Sequence, residues 1–208
     1  MERVICLLIG YVFGLFQTAY FYGKAKGIDI RKYGSGNAGT TNALRVLGTK
    51  AGLIVLAGDC LKCIIAVCIT RALFSTGHPE NIYLLCLYTG AGAIIGHNFP
   101  FYMGFKGGKG IATLLGMVLA IHPEIALVCI TIFILTLIAS QYVSLSSILA
   151  TLAFPVLSWL GVFGQPEPLL IVFGFVMFVL VVITHQKNII RLLNGNENRV
   201  NLFKKSKA

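Results

Sequence analysis

Charge is what this 208-residue chain has least of. Charged residues make up 12% of it, against roughly 25% in soluble proteins. Only 7 residues are acidic. A scarcity this deep excludes an ordinary soluble domain with a solvated surface. Apolar residues reach 57% and mean hydropathy is +0.84. A bilayer core about 30 Å thick needs about 20 apolar helical residues to cross. In lipid each backbone polar group must be satisfied internally, which helices achieve segment by segment. The chain offers several such runs. The expected fold class is therefore all-α, one polytopic integral membrane domain over residues 1–208.

Other absences narrow the function. The six cysteines, Cys6, Cys60, Cys63, Cys68, Cys86 and Cys129, all lie in apolar runs. Cys60 and Cys63 enclose Lys62, and no second C-x-x-C follows. That pattern fits helix packing rather than a zinc or redox centre, so neither metal nor cofactor is expected. The net charge of +10 would suggest nucleic acid in a soluble protein. No soluble module carries a basic and aromatic stripe, so no nucleic-acid partner is expected. The charge points instead to anionic headgroups of membrane lipid and to anionic substrates. No A-x-A site follows the opening MERVICLLIGYVFGLF, so it is expected to be a retained first span. No internal repeat is visible.

Seven spans are expected: Val4–Tyr22, Ala51–Phe74, Tyr83–Ile95, Ile111–Ile121, Glu124–Ala139, Leu145–Phe163 and Leu169–Thr184. Pro79, Pro123, Pro155, Pro166 and Pro168 mostly punctuate their ends. Gly10/Gly14, Gly48/Gly52 and Gly92/Gly96 are G-x-x-x-G pairs, which permit close helix approach. Most of the basic residues fall in three segments, 24–50, 97–110 and 185–208. The positive-inside rule places these in the cytoplasm, with the N-terminus outside and the C-terminus inside.

Each of those segments carries a polar cluster. In the first, GSGNAGTTNALRVLG (Gly34–Gly48), Thr40 and Thr41 are expected to cap a helix from Asn42 to Leu47, with Arg45 on the same face as Thr41. A helix N-terminus beside a guanidinium suits a phosphate; an amphipathic interfacial helix is the plainer alternative. The second is GHNFPFYMGFKGGKGIAT (Gly96–Thr113). Gly107, Gly108 and Gly110 lead into an apolar helix, with Lys106 and Lys109 on the rim. It is not a Walker A loop, because the spacing from Gly104 is one residue short and Gly110 stands where Ser or Thr would bind magnesium. Phosphate binding without ATPase chemistry follows, against the alternative of a flexible re-entry loop. In the third, HQKNIIRLLNGNEN, the last span is expected to continue out of the membrane to a stop at Asn194-Gly195. His185, Asn188 and Leu192 would share one face, and His185 at the lipid–water boundary could accept a proton, bind phosphate or be structural. Asp59 and Lys62, i and i+3 inside the second span, form either a mutual pair or a cavity wall.

Together these motifs resemble the acyl-phosphate:glycerol-3-phosphate acyltransferases of bacteria, the PlsY family, over nearly the whole chain. The first motif stands as Ser35-Gly36-Asn37-Ala38-Gly39-Thr40-Thr41-Asn42-Ala43-Leu44-Arg45. The second occupies Gly96–Pro100 and Phe105–Thr113. The third comprises His185, Asn188, Arg191, Leu192, Gly195 and Glu197. Gln17 replaces a proline usual in the first span, and Gln141 an arginine.

The resemblance implies acyl transfer from acyl phosphate to the sn-1 hydroxyl of glycerol 3-phosphate, giving lysophosphatidic acid. It also implies a site on the cytoplasmic face of the bacterial plasma membrane. Ser35, Arg45, His185 and Asn188 would be catalytic. Asn37, Thr41, Asn42, Lys106, Gly107, Gly108, Lys109 and Gly110 would bind substrate, and Glu197 would be structural. A soluble enzyme that forms acyl phosphate is a candidate partner of the basic tail. The H-x-x-x-x-D signature of acyl-CoA acyltransferases is absent. A transporter of a phosphorylated metabolite is the alternative, though the polar clusters gather on one face rather than at the midplane.

Overall fold

The computed structural model describes residues 1–200. Lys204, Lys205 and Lys207 of the expected docking tail lie outside the described residues. Among those described, helices form the regular structure and there is no strand. The chain divides into two compact units, Met1–Pro123 and Glu124–Ala208.

In the first unit the opening apolar run is broken. It forms α1 (Glu2–Gly14) and α2 (Thr18–Ala25), not one continuous helix over Val4–Tyr22. A break frees carbonyls that lipid cannot satisfy. Here side chains take that role. Gln17, fully buried, donates from Nε2 to the Gly14 carbonyl at 3.2 Å. Tyr102 OH donates to the Leu15 carbonyl at 2.6 Å, and Lys62 Nζ to the Phe16 carbonyl at 2.8 Å.

The following elements are α3 (Thr40–Leu47), α4 (Thr49–Phe74), α5 (Ile82–Asn98) and α6 (Ile111–Ile121). Two of the three glycine pairs pack against each other. A Cβ on Gly10 or Gly14 of α1 would strike the carbonyls of Thr89 or Ala93 on α5. A Cβ on Gly92 or Gly96 of α5 would strike those of Leu7 or Tyr11 on α1. The backbones touch because neither helix has a side chain there. In the third pair Gly52 allows a close approach, a Cβ there meeting Leu44 of α3 at 2.9 Å, while Gly48, at φ +86, is the hinge joining α3 to α4. Gly116 of α6 likewise abuts the Cys60 carbonyl of α4.

The second unit contains α7 (Pro123–Ser140, its first residue at the boundary), α8 (Val143–Trp159), α9 (Pro168–Thr184) and α10 (Gln186–Leu193). Pro155 lies inside α8 instead of at an end, where it packs against Gly174 of α9. The last span does not run straight out of the membrane. It stops at Thr184 and turns by 67° into α10. The expected stop beyond it is present, with Asn194 capping α10 and Gly195 at φ +69.

Among the described residues, four segments are long and apolar enough to cross a bilayer: Glu2–Ala25, Thr49–Phe74, Pro79–Met103 and Pro123–Ser140. The bent α9–α10 pair would be a fifth, and α6 and α8 are shorter apolar helices.

Candidate active site

Two loops of the first unit hold most of the expected site residues. The Ser35 loop is built around one side chain. Asn42 on α3 is 1% exposed. Its Nδ2 donates to the carbonyls of Ile30 at 3.2 Å and Tyr33 at 3.0 Å. Its Oδ1 accepts the Ser35 amide at 2.9 Å. Asn42 therefore faces its own loop and fixes the Ser35 backbone, leaving the Ser35 side chain exposed. Gly34 and Gly36, at φ +60 and +74, let the chain curl around this amide.

The cap of α3 differs from expectation. Gly39, extended at φ −147, is the N-cap, and no side chain caps the helix. Thr40 and Thr41 are its first two residues, and the Thr40 hydroxyl is buried without a partner. Asn37 folds back over Gly39, where a Cβ would meet its Nδ2 at 2.8 Å. Arg45 is exposed in the last turn of α3. Before the loop, Asp29 accepts three bonds from Arg31: from the amide at 3.1 Å, Nε at 3.0 Å and an Nη at 2.8 Å. The guanidinium bonds outweigh the opposing effect of burial and push the Asp29 carboxyl down to about 2.

The glycine-rich loop is built from main chain. The Gly107 amide donates to the Asn98 carbonyl at 3.0 Å, and the Gly108 amide to the His97 carbonyl at 3.1 Å. A Cβ on Gly107 would strike the His97 carbonyl, and one on Gly108 the His97 ring at Nε2. Gly110, at φ +79, is the N-cap of α6, and its carbonyl accepts the Leu114 amide at 2.7 Å. The loop thus lies directly on the C-terminal end of α5 and feeds the N-terminus of α6, whose first amides have no intrahelical acceptor. Lys106 is exposed and Lys109 half-buried.

Beneath this loop is a buried ionic cluster. Lys62 Nζ lies 2.9 Å from Asp59 Oδ1 and 2.7 Å from His97 Nδ1. Thr18 Oγ1 donates to Asp59 Oδ1 at 2.9 Å. Gln17 Nε2 donates to the His97 carbonyl at 3.0 Å. Asp59 and Lys62 do pair, as their spacing allows, but His97, Thr18 and Gln17 complete the cluster. Sequence reasoning missed that function for His97 and Gln17. The available signal was a lysine in an apolar span, which needs more than one acceptor, and a histidine just ahead of the glycines.

The third motif occupies the second unit. His185 closes α9 and caps α10, so it precedes the Asn188 helix instead of sharing a continuous face with it. It is 3% exposed, and its Nδ1 is 2.9 Å from the Val181 carbonyl. A carbonyl only accepts, so Nδ1 carries the proton and Nε2 the lone pair. Glu197 accepts from Asn188 Nδ2 at 2.6 Å, Arg191 Nε at 2.6 Å and Ser144 Oγ at 3.0 Å. Burial would raise the Glu197 carboxyl, but these donors, Arg191 first, outweigh it and hold the group below its usual range. Gln141, at φ +62, lies in the turn from α7 to α8, and its carbonyl accepts the Val200 amide at 2.9 Å.

The family model described as glycerol-3-phosphate acyltransferase matches residues 4–195. A glycerol-3-phosphate acyltransferase of Chlorobium phaeobacteroides (strain DSM 266 / SMG 266 / 2430) is 40% identical across 96% of this chain and 97% of its own. One from Chlorobaculum tepidum is 40% identical, with 96% and 97% covered. The crystal structure of PlsY, an integral membrane glycerol 3-phosphate acyltransferase, in its glycerol 3-phosphate form is similar at a TM-score of 0.86. It is 35% identical, covering 98% of this chain and all of that one. The lysophosphatidic acid form of PlsY matches at 0.83, again 35% identical, with 97% and 96% covered.

The chain belongs to the glycerol-3-phosphate acyltransferase family. It is accordingly a helical integral membrane protein of the PlsY type. The acyltransferase family match spans the first two motifs, with both loops of the first unit, and the third motif from His185 as far as Gly195. This favours acyl transfer over the transport alternative.

Proposed function

We propose that this protein transfers a fatty acyl group from acyl phosphate to the sn-1 hydroxyl of glycerol 3-phosphate. The products are lysophosphatidic acid and inorganic phosphate. The observation that carries this reading is the glycine-rich loop, packed without side chains onto α5 and opening at the N-terminus of α6. Such a loop receives a phosphate, here that of glycerol 3-phosphate, on Gly107, Gly108 and Gly110, with Lys106 and Lys109 as counter-charges.

The reaction is a direct displacement. The sn-1 oxygen forms a bond to the acyl carbon, and the bond from that carbon to the phosphate oxygen breaks. The hydroxyl proton passes to His185 or to a substrate phosphate oxygen. The Nδ1–H bond to Val181 supports His185 as acceptor, since it puts the ring's lone pair on Nε2. Acyl phosphate is a mixed anhydride with a good leaving group, so no acyl-enzyme is required. Alignment alone can remove about 7–11 kcal/mol of barrier. Ser35 positions a phosphate and is not the nucleophile. Arg45 stabilises the departing phosphate. Asn37 and Thr41 line the first loop, and Asn42 acts through Ser35. Asn188 supports the third motif, and Glu197 is its structural anchor.

One family model covering 4–195 supports treating residues 1–208 as a single acyltransferase domain. Seven crossings are proposed, with the N-terminus outside and the three basic segments in the cytoplasm of a bacterial cell. A soluble acyl-phosphate-forming enzyme is the proposed partner.

The test is a donor comparison on purified protein in lipid. Labelled glycerol 3-phosphate is offered with palmitoyl phosphate, palmitoyl-CoA or palmitoyl-acyl carrier protein. Product from palmitoyl phosphate alone is expected. Product only from a thioester overturns the donor, and an acyl-Ser35 adduct overturns direct attack.

A further inference from the structure

The buried cluster under the glycine-rich loop is larger than pairing requires. Asp59 and Lys62 alone would neutralise each other across one turn of α4. Instead Lys62 has three acceptors at close range: Asp59 Oδ1 at 2.9 Å, the Phe16 carbonyl at 2.8 Å and His97 Nδ1 at 2.7 Å. The Gly14 carbonyl is a longer fourth at 3.4 Å. An ammonium has three protons, and these three acceptors use all of them. His97 Nδ1 must then offer its lone pair, so the ring carries its proton on Nε2.

Nε2 is the ring atom that abuts Gly108. The His97 carbonyl accepts the Gly108 amide on one side and Gln17 Nε2 on the other. Thus the ring of His97 is fixed by Lys62 of α4 and its main chain by Gln17 in the break between α1 and α2, and both bear on Gly108.

We infer that Asp59, Lys62 and His97 form a positioning relay, in which Lys62 holds His97 as the Nε2–H tautomer and so sets the glycine-rich loop for phosphate. This deepens the proposed function and rests on its assignment of glycerol 3-phosphate to that loop. Lys62 and Asp59 are positioning residues, acting through His97. The competing explanation is that the cluster only closes the break after α1. The two differ in what they affect: a seal concerns folding and both substrates alike, whereas the relay concerns the substrate bound by the loop.

Two measurements decide it. In the first, the wild-type chain is labelled with 15N-histidine in lipid, and the His97 signals are identified by their absence from His97→Asn. A pyridine-type Nδ1 with a pyrrole-type Nε2 is expected, and the reverse tautomer overturns the relay. In the second, kinetics are measured on Lys62→Met and on the double variant Asp59→Asn/Lys62→Met, which leaves no unpaired buried charge. The double variant should raise KM for glycerol 3-phosphate about tenfold, leaving KM for acyl phosphate within about twofold and kcat within about threefold. Restoration to wild-type values, or equal change in both KM values, overturns the relay. If the variants fail to fold, the tautomer in the wild-type chain still decides. Wild-type protein that makes no product from any donor would sink the proposed function, and the tautomer would then judge the relay independently.

Discussion

The Ser35 loop and the glycine-rich loop, both proposed to meet phosphate, are of opposite construction. The first is an exposed curl tied from inside by one amide, Asn42, through three hydrogen bonds. The second is seated by main chain: its amides bond to the last carbonyls of α5, and its missing Cβ atoms let it lie against the His97 ring. A loop tied by a side chain is vulnerable at that side chain and tolerant along its length. A loop seated by backbone contact is vulnerable wherever a Cβ would enter.

Four substitutions or conditions would break or sharpen that contrast. Gly108→Ala should have the largest effect, because its methyl would collide with His97 and lift the loop from α5. A loss of about a hundredfold in kcat/KM, roughly 3 kcal/mol, is expected; a near-normal rate would mean the seat is not needed. Asn42→Ala comes next. It removes the three bonds that order the Ser35 loop, and a loss of about 2 kcal/mol in transition-state stabilisation, about thirtyfold in kcat/KM, is expected while Gly108-region function persists. Glycerol 3-phosphate and acyl phosphate titrations would separate the two loops.

Acid should then act on one loop and spare the other. Asp29 is held down to about 2 from 3.8. Its stabilising contribution is therefore complete above about pH 4 and is lost as pH falls through 2. Thermal unfolding between pH 4 and pH 2 should fall more steeply for wild type than for Asp29→Asn. The amide bonds seating the glycine-rich loop do not titrate. The smallest effect is expected at Gly104→Asn. Gly104 is left-handed at φ +64, but a Cβ there meets nothing within 4 Å. Asparagine tolerates that conformation, so the cost should stay below about 1 kcal/mol in unfolding and activity within about twofold.

Much of this architecture was legible because it follows from local pattern. Apolar length located each helix core, and α6 has the bounds its composition implied, Ile111–Ile121. The pairs Gly10/Gly14 and Gly92/Gly96 signalled close packing correctly, though not that they meet each other. Gly52 carried the same signature and packs on Leu44, but its partner Gly48 proved to be a hinge, since spacing does not reveal φ. The break after Gly14 and the turn at His185 were hidden. The opening run stays largely apolar through its break, the chain after Thr184 turns polar at its bend, and in neither case does hydropathy report direction. The threonines that open α3 looked like its caps, but a glycine in extended conformation took that place.

What the sequence determined by itself is the class of molecule and its chemical inventory. Twelve per cent charge and long apolar runs require helices in lipid, and three motifs supply glycine loops, cations and a boundary histidine. What only tertiary structure decided is which groups complete one another. Lys62 is 35 residues from His97 in the chain and 2.7 Å from it in space. Gln17 reaches a carbonyl 80 residues away at 3.0 Å. A buried ammonium and a broken helix require hydrogen-bond partners, but the requirement names no partner. Helix packing brings the eligible groups within reach, and that depends on where glycine lets two backbones touch.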